Sequence, residues 1–143
     1  MKKTKILLVA LAILSAVTGF AAPKQEPVAT PPAQPAAVDN FASQTLTSDM
    51  LAQIIARGDP NTYLIDVRTA EEYRSGAIPS ALNIPFDVIA ANLPTQDRTA
   101  KIVVYCRSGN RSSQAKATLE ALGFTRVNDF GAVFNWRGEL ERR

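Results

Sequence analysis

KIVVYCRSGNRS, residues 101–112, joins the most β-favouring run of the chain to a short polar loop. Lys101–Tyr105 carries no charge after its first residue and is rich in β-branched and aromatic side chains, which predicts a buried central strand. A helix is predicted over Ser112–Leu122, where apolar residues recur on one face until Gly123 ends the pattern. A strand that leads through a tight loop into a helix is the repeating unit of α/β sheets.

The same alternation of strand and helix extends in both directions along the chain. Further strands are predicted at residues 63–68, 81–84 and 125–127. Further helices are predicted from an N-cap at Ser48 to Gly58, after a capping box formed by Thr69 and Glu72, and over residues 86–93 and 134–140. This order predicts one α/β domain with a parallel sheet flanked by helices on both faces.

The first forty residues have a different composition from the rest. Residues 1–21 begin with three lysines, continue with an uncharged apolar run and end in small residues, which is the pattern of an export signal peptide. The apolar run is shorter than the about 20 residues that span a bilayer, so a cleaved signal is favoured over an uncleaved anchor. Residues 22–40 are rich in Pro and Ala and predict a disordered linker. A folded domain is therefore expected over residues 41–143, in the periplasm.

The charge balance argues against polyanionic partners. The chain has 16 basic and 13 acidic residues, and removal of Lys2, Lys3 and Lys5 with the signal leaves 13 of each. No nucleic acid partner is expected, and no stable membrane association after signal cleavage. The sequence has no His. This excludes Ser-His-Asp and Cys-His catalysis and disfavours a catalytic zinc site, so no metal is expected.

Cys106 is the only cysteine and directly follows the predicted central strand. Ligands of parallel sheets bind at the carboxyl ends of the strands, which places Cys106 where a site is expected. The loop can aim several N–H groups at one centre, the next helix adds its positive end, and Arg107 and Arg111 add two charges. These effects favour the thiolate and form a cradle for a small anion. The alternative is a buried, inert cysteine with two solvated arginines beside it.

The number of residues between Cys106 and Arg111 distinguishes phosphate hydrolysis from sulfur transfer. Phosphatases that use a cysteine loop typically place five residues between Cys and Arg, which makes room for a tetrahedral phosphate. Here four residues intervene, namely Arg107, Ser108, Gly109 and Asn110. The shorter loop fits one extra sulfur atom on the thiolate. A phosphatase or an arsenate reductase is disfavoured for this reason, and because no acid is placed to protonate a leaving alcohol.

The domain resembles the rhodanese family over nearly all of residues 41–143. The matching runs are residues 65–68 (IDVR), 71–73 (EEY), 76–85 (GAIPSALNIP), 104–112 (VYCRSGNRS) and 131–136 (GAVFNW). The resemblance is greatest to single-domain periplasmic thiosulfate sulfurtransferases. It implies a five-stranded parallel sheet flanked by helices. It also implies a two-step reaction in which Cys106 takes up sulfane sulfur as a persulfide and passes it to cyanide or a thiol.

The resemblance assigns roles to the loop and its neighbours. The backbone N–H groups of Arg107 to Arg111 correspond to the cradle, and a basic residue after the Cys resembles the branch that uses thiosulfate. The partners expected are a small sulfur-containing anion as donor and cyanide, a thiol or a thiol-bearing protein as acceptor. No cofactor is implied, because the sulfur is held covalently. A non-enzymatic module that carries persulfide for a partner protein is the alternative.

Residues outside the loop receive supporting roles. Asp66 and Arg68 follow the family pattern, and a structural ion pair is at least as well supported for them as contact with substrate. The acidic residues of 71–73 are assigned to helix capping, with packing for the tyrosine, and Trp136 to the core. Two departures from the pattern are Ala77, where the family often has His, and Ala132, where it usually has a second Gly.

Overall fold

A computed structural model describes residues 39–143; the predicted signal peptide and residues 22–38 of the predicted linker lie outside the described residues. The strands are β1 (Thr62–Asp66), β2 (Leu82–Asn83), β3 (Lys101–Cys106) and β4 (Val127–Ala132). The helices are α1 (Ser48–Arg57), α2 (Ala70–Ser75) and α3 (Asn110–Ala121), followed by a single 3₁₀ turn at Val133–Asn135. Within residues 39–143 no helix has the length and apolar character needed to cross a membrane.

The strands form one parallel sheet in the order β2-β1-β3-β4. The predicted central strand, β3, lies between β1 and β4 and is buried along almost its whole length. Its last residue, Cys106, is paired with Ala132 at the end of β4. Because all four strands run the same way, their carboxyl ends meet at one edge of the sheet.

Side chains of β3 alternate between two separate cores, as the pleat of a strand requires. Val103 and Tyr105 belong to a core that packs under α1, while Ile102, Val104 and Cys106 belong to a core that packs under α3. Helices therefore cover both faces of the sheet, as predicted. Cys106 lies on the α3 face, and this places its sulfur directly in front of the amino end of that helix.

The expectation of five strands is wrong for the described residues, which contain four. The segment 39–46 lies against β4 but does not extend it. A turn closes when the N–H of Gln44 donates to the carbonyl of Asn40 over 3.0 Å. The side-chain amide of Asn128, on β4, then donates to the carbonyls of Phe41 and Gln44, both over 2.7 Å. These carbonyls are bound by one side chain, so no backbone ladder forms with β4 here.

Several element boundaries also differ from prediction. Thr47, not Ser48, is the N-cap of α1, because its hydroxyl accepts the N–H of Met50. The capping box of α2 is confirmed, since Thr69 and Glu72 bond each other's backbone N–H groups. Helix α3 begins at Asn110, two residues earlier than predicted, because Gly109 turns the chain directly into it. The last strand, predicted at residues 125–127, is instead β4, which starts at Val127 and continues to Ala132.

Two predicted helices are absent from the described chain. Residues 86–93 form successive turns, in which the carbonyl of Val88 accepts the N–H groups of both Ala91 and Asn92 and the side-chain amide of Asn92. Residues 134–140 form only the end of the 3₁₀ turn and then an extended tail. Glu141 in that tail exchanges two backbone hydrogen bonds with Ala77, at 2.8 and 2.9 Å, and this pairing competes with helix formation.

Candidate active site

Cys106 ends the central strand inside the protein, with its residue surface fully buried. The loop that follows is short: three residues separate it from the first residue of α3. Gly109 has a φ of 98°, a left-handed backbone angle that favours glycine, and it bends the loop back over the strand end. The N–H of Gly109 donates to the Cys106 sulfur over 3.0 Å.

The surroundings of the Cys106 sulfur favour its ionised form. Burial alone would raise the pKa of Cys106, since a thiolate is less stable away from water. Hydrogen bonds from the backbone N–H groups of Ser112, Ser108 and Gly109 and from the Ser112 side chain outweigh burial. The pKa of Cys106 is therefore lowered from 9.0. The sequence predicted this shift, and the donors are mainly backbone groups of the loop and the first turn of α3.

Ser112 is a site residue to which sequence reasoning gave no role. It is fully buried in the first turn of α3. Its hydroxyl lies 2.9 Å from the carbonyl of Gly109 and 3.4 Å from that of Gly131, and it also contributes to the pKa of Cys106. A hydroxyl rotates and can donate to only one of these acceptors at a time. The one signal in the sequence was its place in the matching run, six residues after Cys106.

Arg111 does not face the loop as a free charge, because it forms a two-pronged ion pair with Glu72. Its two terminal nitrogens donate to the two carboxylate oxygens over 2.7 and 2.9 Å. This contact, aided by the hydrogen bonds from Thr69, lowers the pKa of Glu72 to about 2. Glu72 was assigned to helix capping, and it also connects α2 to the first turn of α3. Arg111 stays close enough to Cys106 for their charges to interact.

The remaining loop side chains point outward. Arg107, Ser108 and Asn110 are exposed. The Asn110 side chain accepts a hydrogen bond from Gln114 over 2.6 Å, so it binds along α3 and not into the loop. Arg107 lines a cleft of about 290 Å³ at this edge of the sheet. Of the predicted loop residues, Arg107 is thus the one whose side chain faces a space large enough for a ligand.

Asp66 and Arg68 form a buried ion pair with each other. This is one of the two roles expected from the sequence, the other being contact with substrate. The Arg68 guanidinium donates to both oxygens of Asp66, with a shortest contact of 2.5 Å, and also to the carbonyl of Gly76 over 2.7 Å. The Asp66 carboxylate is fully buried and Arg68 is 6% exposed. The pair therefore holds the end of β1 to the turn after α2. Arg68 also lines the cleft that Arg107 borders.

No cluster of three or more potential metal-ligating side chains occurs in the part of the chain that the structure describes.

The family model for the rhodanese-like domain matches residues 47–138. The chain belongs to the rhodanese-like domain family. Membership of this family accounts both for the matching run at residues 104–112 and for the parallel sheet. The candidate site, from the end of β3 to the start of α3, lies within the residues that this family model matches.

Relatives of this rhodanese-like chain bear sulfurtransferase names. It is 41% identical over 83 residues to a putative sulfurtransferase of Bacillus subtilis, covering 58% of this chain and 81% of that one. It is 35% identical over 71 residues to a thiosulfate sulfurtransferase of Escherichia coli, covering 48% and 68%. The solved human single-domain sulfurtransferase superposes with a TM-score of 0.58 at 29% identity, covering 64% and 93%. These similarities support sulfur transfer as the general chemistry of the domain.

Proposed function

We propose that this protein is a sulfurtransferase that moves sulfane sulfur from thiosulfate, or a related donor, to cyanide or a thiol through a persulfide on Cys106. The observation that carries the proposal is the Cys106 sulfur, which accepts the Gly109 N–H over 3.0 Å in front of the amino end of α3. This arrangement stabilises negative charge on the Cys106 sulfur, and the helix end favours negative charge on a second sulfur bound to it. The sulfurtransferase names of the relatives agree with it.

In the first step the Cys106 thiolate attacks the outer sulfur of thiosulfate. A new S–S bond forms, the S–S bond of thiosulfate breaks, and sulfite leaves with the bonding electron pair. The outer persulfide sulfur then carries the negative charge that the thiolate carried before. Arg107, exposed at the cleft, supplies a positive charge where the sulfonate end of the donor approaches.

In the second step an acceptor anion attacks the outer sulfur of the persulfide. The S–S bond to Cys106 breaks and its electron pair restores the thiolate. Cyanide becomes thiocyanate, and a thiolate becomes a persulfide. The lowered pKa of Cys106 helps both steps, because the thiolate is the nucleophile in the first and the leaving group in the second.

The proposal is tested by incubating the purified protein with thiosulfate and measuring its intact mass and the thiocyanate formed on addition of cyanide. The expected results are the mass of one added sulfur atom and multiple turnovers. Cys106→Ser is the control and should show neither. Wild-type protein that gains no sulfur, or a Cys106→Ser variant with unchanged activity, would contradict the proposal.

The alternative is a carrier that accepts sulfur for a partner protein without rapid turnover. A relative in Bacillus subtilis named a putative sulfur carrier protein, 31% identical over 84 residues, makes this alternative worth testing. The same experiment separates the two functions. A carrier gains the sulfur atom but releases almost no thiocyanate, whereas an enzyme does both.

We also propose that the protein acts in the periplasm after removal of residues 1–21. Support comes from the lysines, the apolar run and the small residues of that segment. Cell fractionation of a producing bacterium, with N-terminal sequencing of the recovered protein, tests this. A mature chain that begins at Ala22 in the periplasmic fraction is expected, and an intact Met1 in the cytoplasm would contradict it.

A further inference from the structure

Glu72 is held on two sides, by the start of its own helix and by Arg111. On the side of α2, one carboxylate oxygen accepts the backbone N–H and the hydroxyl of Thr69, over 3.2 and 3.3 Å. On the other side, the two oxygens accept hydrogen bonds from the two terminal nitrogens of Arg111, over 2.7 and 2.9 Å. The Glu72 and Arg111 side chains are only 26% and 24% exposed. The guanidinium of Arg111 is therefore fixed by a carboxylate that α2 itself holds in place.

Arg111 occupies a place in α3 that is unfavourable for the stability of the helix. It is the second residue of α3, where the helix dipole is positive and an acidic side chain would be stabilising. The first turn of α3 has no acidic residue. The Cys106 sulfur lies in front of the same helix end, and it is negatively charged once it ionises. A guanidinium at this position thus costs helix stability but can stabilise charge on the sulfur.

Of the two charges in the ion pair, the positive one interacts with the sulfur. The pKa of Arg111 is raised, mainly by its hydrogen bonds with Glu72 and also by the charge of Cys106. An arginine has five side-chain N–H donors, and Glu72 binds two of them. The other three make no hydrogen bond to residues 39–143, so an anion at the loop can use them.

We propose that Glu72 is a positioning residue for sulfur transfer, because its carboxylate holds the Arg111 guanidinium where that charge stabilises negative charge on sulfur. The proposal rests on the proposed function and adds a residue that does not touch the reacting atoms. When thiosulfate reacts, the Cys106 sulfur bonds to the outer sulfur, the bond to the sulfite group breaks, and sulfite leaves with the electron pair. Neither Glu72 nor Arg111 gains or loses a proton. The guanidinium is in place before the charge moves, so it need not reorganise during the step.

An Arg111 side chain without Glu72 would behave differently. It would sample many rotamers and extend its charged end into water. Its average charge near the sulfur would then fall, although its formal charge would be unchanged. A carboxylate that acted only through its own charge predicts the opposite effect, since its removal would leave the site more positive and favour the thiolate. The direction in which the reactivity of Cys106 changes therefore distinguishes positioning from a simple effect of charge.

The test measures the pH dependence of Cys106 alkylation, and the kcat/KM for thiosulfate with cyanide as acceptor. It compares wild type with Glu72→Gln, Arg111→Met and the double variant. Glutamine also fits the capping box, so α2 should be retained. The alkylation midpoint should move upward in Glu72→Gln and further upward in Arg111→Met. The kcat/KM should fall about fivefold and about tenfold, respectively. The double variant should match Arg111→Met, because Glu72 acts through Arg111.

Glu71→Gln is the matched control, since it removes the adjacent acidic residue of the same helical turn. It should leave the midpoint and the kcat/KM unchanged. If Arg111→Met does not fold, Arg111→Lys takes its place, because lysine keeps the charge but cannot form the two-pronged contact. Glu72→Gln should then shift the midpoint less in the Arg111→Lys background than in wild type.

The outcomes separate this role from the proposed function. If wild-type protein forms no persulfide with thiosulfate, the proposed function and the role of Glu72 are both wrong. If persulfide forms normally but the midpoint in Glu72→Gln is unchanged or moves downward, only the role of Glu72 is overturned. A double variant that loses clearly more activity than Arg111→Met would overturn it as well, because Glu72 would then act independently of Arg111.

Discussion

At the scale of single residues, the donors to the Cys106 sulfur lie close to it in the chain, whereas the ion pair beside it joins distant positions. The loop donors were predictable, because they follow Cys106 directly in the sequence. Glu72 was not recognised as a site residue, because its contact with Arg111 joins positions 39 residues apart. Residues that far apart meet only in the folded chain. The capping box of Glu72 with Thr69 gives no indication in the sequence that Glu72 also binds Arg111. Ser112 was missed for a different reason, since burial of its hydroxyl depends on where α3 begins.

Ser112→Ala should slow sulfur uptake by Cys106 without unfolding the protein. The substitution removes one donor to the thiolate, and hydrogen bonds to charged groups are worth enough to expect about a tenfold lower rate at pH 7. The pH dependence of Cys106 alkylation reports the cause. In wild type the midpoint should lie below 9.0, and in the variant it should move upward. Ser113→Ala, on the exposed side of the same helical turn, is the control. An unchanged midpoint in Ser112→Ala would show that the hydroxyl donates elsewhere.

At the scale of elements, hydrophobic period and capping residues predicted β1, β3, α1 and α2 well. They failed at residues 86–93, where the carbonyl of Val88 accepts the N–H groups of Ala91 and Asn92 in helical turns that do not continue into a helix. They also failed at residues 134–140, where the tail leads into the backbone pairing of Glu141 with Ala77. That pairing joins distant positions and has no signature in a sequence window. Element boundaries near the site likewise depend on Gly109, whose backbone angle sets the start of α3.

Gly109→Ala should impair both stability and sulfur uptake. The added Cβ would lie 3.8 Å from Gly131, an ordinary contact, so the cost comes from the left-handed backbone angle and amounts to about 1–2 kcal/mol. Relaxation of that angle would also move the N–H that binds the Cys106 sulfur. Gly58→Ala is the matched control, because Gly58 has a φ of 59° and open space around it at the end of α1. Urea denaturation should show a loss for both variants, and persulfide formation a loss only for Gly109→Ala.

Glu72→Gln should weaken the connection between α2 and the loop by about 0.5–1 kcal/mol, measured as the free energy of unfolding at pH 7. Glutamine retains the capping hydrogen bonds but loses the ion pair with Arg111. The folded-state pKa of Glu72, about 2, lies below its ordinary value of 4.5, so its contribution is fully present above pH 4.5 and is lost as the pH falls toward about 2. The difference between wild type and variant should shrink over that range. Glu71→Gln, which removes a neighbouring exposed charge and leaves the contact with Arg111 intact, is the control.

At the scale of the whole molecule, the α/β class, the parallel sheet and the two helical layers were predictable from the alternation of elements. The fifth strand came from the family resemblance and not from any run of residues, and it is absent from residues 39–143. Asn128 explains the difference physically. It is 1% exposed, and its amide binds two carbonyls that a neighbouring strand would otherwise need.

Asn128→Ala should therefore destabilise the domain more than the loss of a small side chain alone would. Two buried or partly buried carbonyls lose their donor, and this should cost about 2–3 kcal/mol in urea denaturation. The variant should still form persulfide at a temperature where it is folded, because Cys106 lies at the opposite end of β3 from the segment that Asn128 binds. Asn92→Ala, which removes one exposed amide contact, should cost much less. Equal losses in the two variants would contradict the role given to Asn128.

The pairing of Glu141 with Ala77 has a practical consequence for anyone who handles this protein. The backbone N–H of Arg143 donates to the carbonyl of Arg74, so the final described residue is tied to the end of α2, next to the cleft. An affinity tag or fluorescent reporter fused after Arg143 would emerge beside the cleft that Arg107 and Leu140 line. Such a fusion would disturb Leu140 and crowd that cleft, so a reporter is better placed before the folded domain.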